Sequence, residues 1–226
     1  MKRFIALIVA LSCVILCFAS CGPKDKPNND PVGVALEADD VPFKFYLVAG
    51  DDGVAAEATV YMWKEVTNSI TIPETIEYNG HTYPVTRVGL GQGITAEPSE
   101  VTKVIISKNV KVISKSAFTM CDNLLSVTLS EGLETIEGSA FSMTGLTTVV
   151  LPSTVKTVEK SAFFGCRNLQ AISVNTGIET IEEGAFSFCP SLGEVQIPRR
   201  FESSKSSIFA HCDTVIDGSC KIIYTE

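Results

Sequence analysis

The sequence predicts a β-rich repeat solenoid closed at its N-terminal end by a β cap. Three observations carry this. First, one unit recurs: LTTVVLPSTVKTVEKSAFFGCRN (Leu146–Asn168) is followed directly by a second copy, Leu169–Ser191. Two more precede it, Val101–Asn123 and Leu124–Gly145, and the 23-residue period loses one residue in the copy that starts at Leu124. A fixed period of this size marks stacked repeats. Second, apolar residues hold fixed places in the unit. Positions 1, 4 and 6 are Leu146, Val149 and Leu151, then Leu169, Ile172 and Val174; positions 10 and 13 are Val155 and Val158, then Ile178 and Ile181. Third, positions 17 and 18 are Ala-Phe in all four copies, ending with Ala185-Phe186, and position 21 is Cys121, Cys166 and Cys189, with Thr144 in the shortened copy.

Positions 4 and 6 obey the two-residue alternation of a strand with one buried face. Each unit therefore reads as a short strand, a turn, a second extended piece and a tight helical turn that carries Phe inward. One such rung cannot bury its own apolar edge, and stacking makes one continuous core.

The register of L-x-x-V-x-L with A-F-x-x-C resembles the BspA-like leucine-rich repeat of bacterial surface proteins, over roughly Ser69 to the C-terminus. The resemblance implies a leucine-rich-repeat-type, right-handed, β-rich solenoid at a cell surface. It implies adhesion to host proteins or other cells better than it implies any particular binding residue.

Residues 1–20 read as a lipoprotein signal peptide. Lys2 and Arg3 are the positive start, Phe4–Phe18 the apolar stretch, and Ala19-Ser20 the small residues before Cys21. The stretch is shorter than the ~20 residues of a spanning helix. Phe18-Ala19-Ser20-Cys21 resembles a lipobox, which implies lipid on Cys21 and a place at the outer membrane or cell surface. Residues 21–40 are rich in Pro, Asn and charge and read as a flexible tether. Residues 41–66 read as the N-terminal β cap. Phe43, Phe45 and Leu47 alternate with polar neighbours, Asp51-Asp52-Gly53 is a turn, and Val54–Trp63 is a second strand.

The solenoid then occupies residues 67–226. Its first rung is divergent: SITIP (Ser69–Pro73) matches positions 3 to 7, and a projecting hairpin follows, turning at Asn79-Gly80. Leu90–Glu100 lacks Ala-Phe, as terminal repeats do. The last rung, Leu192–Thr214, keeps Phe209 and Cys212 but has Ser204 at position 13 and inserts polar Ser203–Ser207. Lys221–Tyr224 reads as a final strand that covers an open edge.

Charge and cysteine content narrow the function. The net charge of −8 argues against nucleic acid as a partner. Of eight Cys, two lie in the signal and Cys21 takes lipid, leaving Cys121, Cys166, Cys189, Cys212 and Cys220. An odd number cannot all pair internally. Rungs stacked about 4.8 Å apart could bridge, but Cys also packs as a small apolar residue, and buried thiols are the expectation.

Nothing in the sequence points to catalysis, a metal or a cofactor. His81 and His211 stand at no triad or metal spacing. Gly89–Gly93 lacks the strand-to-helix context of a phosphate loop. Glu137, Glu159 and Glu182 recur at position 14 and read as a solvated outer face. Lys111, Glu134, Lys156 and Glu179 alternate in sign at position 11, which stabilises the stacking register.

The expected function is non-enzymatic binding of a macromolecule, a protein first and a glycan as the alternative. A periplasm-facing structural lipoprotein is a third reading. The exposed ladder offers Thr128, Thr148 and Val150, which are small. Larger anchors sit near the cap: Trp63, Tyr78 and Tyr83. Trp63 is either such an anchor or the lid on the first rung.

Overall fold

Each 23-residue unit folds into one rung with a strand at positions 3–5, a strand at positions 12–13 and a non-helical turn from 14 to 22. The computed structural model describes residues 35–37, 43–50, 55–63, 68–78, 81–89 and 101–226. Residues 1–34, Asp51-Asp52-Gly53, Asn79-Gly80 and Leu90–Glu100 lie outside the described residues.

In chain order the strands begin with β1 (Ala35–Glu37), β2 (Phe43–Ala49) and β3 (Ala55–Trp63). The divergent first rung holds β4 (Ser69–Thr71), β5 (Thr75–Tyr78) and β6 (His81–Val88). The regular rungs follow as β7 (Lys103–Ile105) with β8 (Val112–Ile113), β9 (Ser126–Thr128) with β10 (Thr135–Ile136), β11 (Thr148–Val150) with β12 (Thr157–Val158), and β13 (Ala171–Ser173) with β14 (Thr180–Ile181). β15 (Glu194–Pro198) opens the last rung and β16 (Lys221–Thr225) ends the chain.

The strands make two parallel ladders. The second ladder runs unbroken as β6-β8-β10-β12-β14, and β3, β2 and β1 prolong it. β2 and β3 are antiparallel, as the alternation predicts, and bury Phe43, Phe45, Ala58 and Val60. β5 and β6 form the expected antiparallel hairpin, with Tyr78 opposite His81. β16 pairs with β15 in parallel, Glu194 to Lys221 through Pro198 to Thr225.

Four expectations need correction. The stretch 21–40 is not all tether, because Ala35–Glu37 pairs antiparallel with Lys44–Tyr46 and Leu36 packs against the core. In the last rung, polar Ser203–Ser207 cannot supply an apolar second strand. A 3-10 turn, Arg199–Ser204, and α1, Lys205–Ile208, stand in its place. A second short helix, α2 (Asp213–Ile216), follows.

The third correction concerns the shortened rung. Its first strand does not bury a full apolar face: Val127 and Leu129 are half-buried, whereas Val104, Ile106, Val149 and Leu151 are buried. The missing residue pulls β11 out of line with β9. The first ladder splits into β4-β7-β9 and β11-β13-β15-β16. Across the split the Thr147 N–H reaches the Leu125 C=O at 3.4 Å, against 2.8 Å for the Gln170 N–H on the Thr147 C=O. Gly145 closes the gap by running against Asp122, whose carbonyl oxygen would lie 2.1 Å from any Cβ there.

The fourth concerns the position-14 carboxylates, which are more than a solvated face: Glu182 is exposed and Glu137 and Glu159 are half-buried, yet each takes a backbone partner. Glu137 accepts from the Lys115 N–H (2.9 Å) and from Arg87 (2.7 Å). Glu159 accepts from the Gly138 N–H and Glu182 from the Lys160 N–H, both at 2.8 Å. Each carboxylate thus satisfies a position-15 amide of the rung before it, which no ladder partner reaches. At position 11 the predicted pairs form, Lys111 with Glu134 at 3.0 Å and Lys156 with Glu179 at 3.6 Å. Both are solvent-exposed and contribute a few tenths of a kcal/mol, on the order of an ordinary surface pair.

The core is a column of rings. Phe118, Phe141, Phe163, Phe186 and Phe209 are buried and stacked, with centroids 5.1, 5.2, 5.1 and 5.6 Å apart. Beside them the cysteines are buried thiols. Cys166 donates to the Phe141 C=O (3.2 Å), Cys189 to Phe163 (3.3 Å) and Cys212 to Phe186 (3.0 Å). Thr144 takes the Cys place in the shortened rung and donates to the Phe141 C=O of its own rung at 2.9 Å. Hydrogen bonding to the Cys166 and Cys212 sulfurs, together with burial, pushes the Cys189 thiol far up.

The turn that carries Phe has its own hydrogen-bonded ladder. Residues at positions 16 and 20 take positive φ: Ser116, Ser139, Ser161 and Gly184, then Met120, Met143, Gly165, Phe188 and His211. This conformation aims alternate amides at the next rung. The Phe118 N–H donates to the Ala140 C=O (2.7 Å) and the Met120 N–H to the Ser142 C=O (2.9 Å). The amides between them close the turn itself, as the Thr119 N–H does on the Ser116 C=O. Inter-rung bonds offset the roughly 1–2 kcal/mol that a left-handed backbone costs a non-glycine residue.

Phe163→Ala should destabilise the chain by about 3–5 kcal/mol, as a buried Phe does. Thr148→Ala, on the exposed ladder, should cost under about 0.5 kcal/mol. Urea unfolding of the two variants checks the assignment of faces, which comparable midpoint shifts would refute. Met120→Gly should be neutral or stabilising by up to about 1 kcal/mol, because glycine takes positive φ without strain; a loss above that size in the same assay contradicts the account of the turn. Cys121, Cys166 and Cys189 should resist alkylation in the folded chain and react once it is unfolded. Peptide mapping by mass spectrometry reads this directly, and rapid labelling of the native protein would count against buried thiols.

Candidate interaction surface

The stacking places equivalent positions of successive rungs in rows along the solenoid. Position 20 makes one such row, reading Met120, Met143, Gly165, Phe188 and His211. The positive φ at this position serves the hydrogen bonding of the turn, but nothing in the turn requires a large apolar side chain there. Met120 is nevertheless 62% exposed, Met143 48% and Phe188 45%. Phe188 lies between Phe164 and His211, with ring centroids at 5.0 and 4.4 Å. Apolar side chains in a contiguous exposed strip mark an interaction surface more strongly than scattered ones do.

Position 22 makes a parallel row: Asp122, Gly145, Arg167, Pro190 and Asp213. Between the two rows runs a groove of ≈ 760 Å³, from Asp122 in the first regular rung to Asp213 in the last. Gly165 leaves a gap in the apolar wall, and Met143 leans toward it, its Cγ 3.5 Å from where a Cβ would lie. The charges on the opposite wall alternate from acidic to basic to acidic. Among the described residues no ion pair engages Arg167, whereas Arg87 pairs with Glu137 and Arg199 with Glu202.

The residues singled out from the sequence are dispersed. Thr128, Thr148 and Val150 stand exposed on the first ladder, Val150 at 62%. Thr128 closes one half of the split ladder, and Thr148 and Val150 open the other. Tyr78 and Tyr83 do not project. Both pack half-buried against the core, and the Tyr78 ring meets Phe45 edge-on at 6.0 Å. Trp63 ends β3 with its backbone opposite Phe43, and its side chain lies outside the described part of the structure. Cys21 lies outside the described residues.

The groove was missed because its residues are 22 to 23 positions apart in sequence. One signal was present: position 20 is apolar or aromatic in three of five rungs although it precedes the buried Cys position in a turn.

Among the described residues no group of His, Cys, Asp and Glu is arranged to hold a metal ion, and no helix is long and apolar enough to cross a membrane.

The comparisons with known proteins agree with this architecture. In fold the chain is similar to a leucine-rich repeat protein of T. pallidum, with a TM-score of 0.63 and 17% identity over 89% of this chain and 82% of that one. It is also similar to the pneumococcal vaccine antigen PcpA, with a TM-score of 0.58 and 18% identity over 86% of this chain and 47% of that one. The chain thus spans about half the length of the pneumococcal protein. No curated protein shows a significant sequence match. A family model described as the BspA type leucine rich repeat region matches residues 96–216 in 6 copies, more than half of the 226 residues. The chain belongs to the BspA-type leucine-rich repeat family.

Proposed function

We propose that the protein is a non-enzymatic, lipid-anchored surface protein that binds a protein partner through its solenoid. The observation that carries this is the groove beside Met143 and Phe188, an exposed apolar strip on a scaffold held rigid by its core column. Large apolar side chains on a rigid support are what a protein contact needs. Family membership supports a surface location, and the Lys2–Cys21 segment supports export and lipid on Cys21. Residues 21–34 serve as the tether, and β2 with β3 serves as the cap. Thr128, Thr148 and Val150 on the exposed ladder, with Trp63 near the cap, are secondary contacts in this reading, whereas Tyr78 and Tyr83 support the cap from the core side.

Cys21→Ala should move the protein from the membrane fraction to the soluble fraction, and the wild type should be degraded when intact cells are treated with proteinase K. Fractionation and shaving with an antibody against the solenoid check both. A Cys21→Ala protein still in the membrane, or a wild type protected until the outer membrane is opened, overturns the anchored-surface reading.

A further inference from the structure

We infer that the groove between the position-20 and position-22 rows binds a polyproline II segment of a protein partner, with a basic residue three positions to each side of an acidic one. This rests on the protein-binding reading and specifies the kind of segment bound.

The charged wall sets the pattern. Asp122, Arg167 and Asp213 sit two rungs apart, with uncharged Gly145 and Pro190 between them. The ring column gives a rung spacing of 5.1 to 5.6 Å, so the charges repeat about every 10 Å. A partner must therefore offer positive, negative and positive groups at that spacing on one side. An extended β-strand fails, since three residues carry the next side chain to the opposite face. A polyproline II helix has three residues per turn and rises about 3.1 Å per residue, so residues three apart share a face about 9 Å apart. Its backbone needs no ladder partner, and the groove walls are side chains rather than a strand edge.

The apolar wall sets the rest. Met143 and Phe188 are also two rungs apart, with the Gly165 gap between them. This is the spacing of successive turns of the same helix, so a proline ring can enter the gap. Aromatic-lined grooves recognise polyproline II segments because the bound conformation already exists in the free peptide. Met adapts its shape to irregular partners. A glycan fits less well. Sugars stack on a bare ring face, and Phe188 has Phe164 on one side and His211 on the other.

The test uses the full chain in detergent and two labelled peptides of reversed charge. One is proline-rich with Lys-Pro-Pro-Glu-Pro-Pro-Lys at its centre, the other with Glu-Pro-Pro-Lys-Pro-Pro-Glu. Fluorescence anisotropy at low salt should show the first bound at least about tenfold more tightly, since like-charge contacts oppose the second. The triple variant Asp122→Lys, Arg167→Glu, Asp213→Lys should reverse that preference. Phe188→Ser should weaken the preferred peptide while leaving the melting temperature within a few degrees. Equal binding of both peptides, no binding of either, or an unreversed preference in a triple variant that melts normally overturns the inference. Binding to a glycan array or self-association in sedimentation, with both peptides inert, does so too. A partner whose binding survives both variants leaves the protein-binding reading standing and removes the groove from it.

Discussion

Face-to-face stacking of five buried Phe rings sets the spacing of everything else in this molecule. The rings lie slightly farther apart than hydrogen-bonded strands, so the two ladders and the turn ladder must all close at nearly the same rise. A 23-residue unit meets that condition with every position 18 above the last. The small Ala at position 17 lets the turns approach, and each Phe carbonyl from Phe141 to Phe186 receives a thiol from the rung above. The cysteines are therefore part of the stacking, buried beside the rings with their thiols on the Phe carbonyls.

The shortened rung shows how this constraint is shared. Losing one residue after Thr144 leaves the ring column intact, at 5.2 Å between Phe141 and Phe163. It leaves the second ladder intact as well, with Thr135 opposite Thr157. The whole defect falls on the first ladder, where β9 and β11 part and Val127 and Leu129 come partly out of the core. The reason is position. The deletion lies between the Phe turn and the next first strand, so it shortens only the path into that strand. Thr144 also fits the defect: its hydroxyl reaches the Phe141 carbonyl within its own rung and meets the Cys166 sulfur at 3.2 Å.

The groove is a by-product of the same geometry. Positive φ at position 20 turns the amide toward the next rung and the side chain outward. What stands at position 20, and at position 22 outside the shortened rung, is then free of the core, and there the rungs differ: Met, Gly, Phe and His on one wall, Asp, Arg, Pro and Asp on the other. A surface whose chemistry varies on a backbone that does not is suited to recognising one partner among many.

Within one unit, the spacing of Val, Ile and Phe determined which residues are buried, because stacking in register lets a period stand in for a contact. From that period alone come the solenoid, the buried face of the strands in the full-length rungs and the ion pairs at position 11, while the apolar run at Lys221 marks the last strand. The β5–β6 hairpin was equally legible, because its turn signal is a local rule. Tertiary structure alone decided where the deletion would be absorbed, that Ala35–Glu37 joins the sheet, and that Glu137, Glu159 and Glu182 serve backbone amides of the preceding rung. Tyr78 shows the same limit: its hairpin was legible, but its ring packs on Phe45, a strand far away in sequence. In each case the deciding partner lies a rung or more distant, and a side chain's partner across rungs depends on the rise and twist of the stack, which no single unit carries.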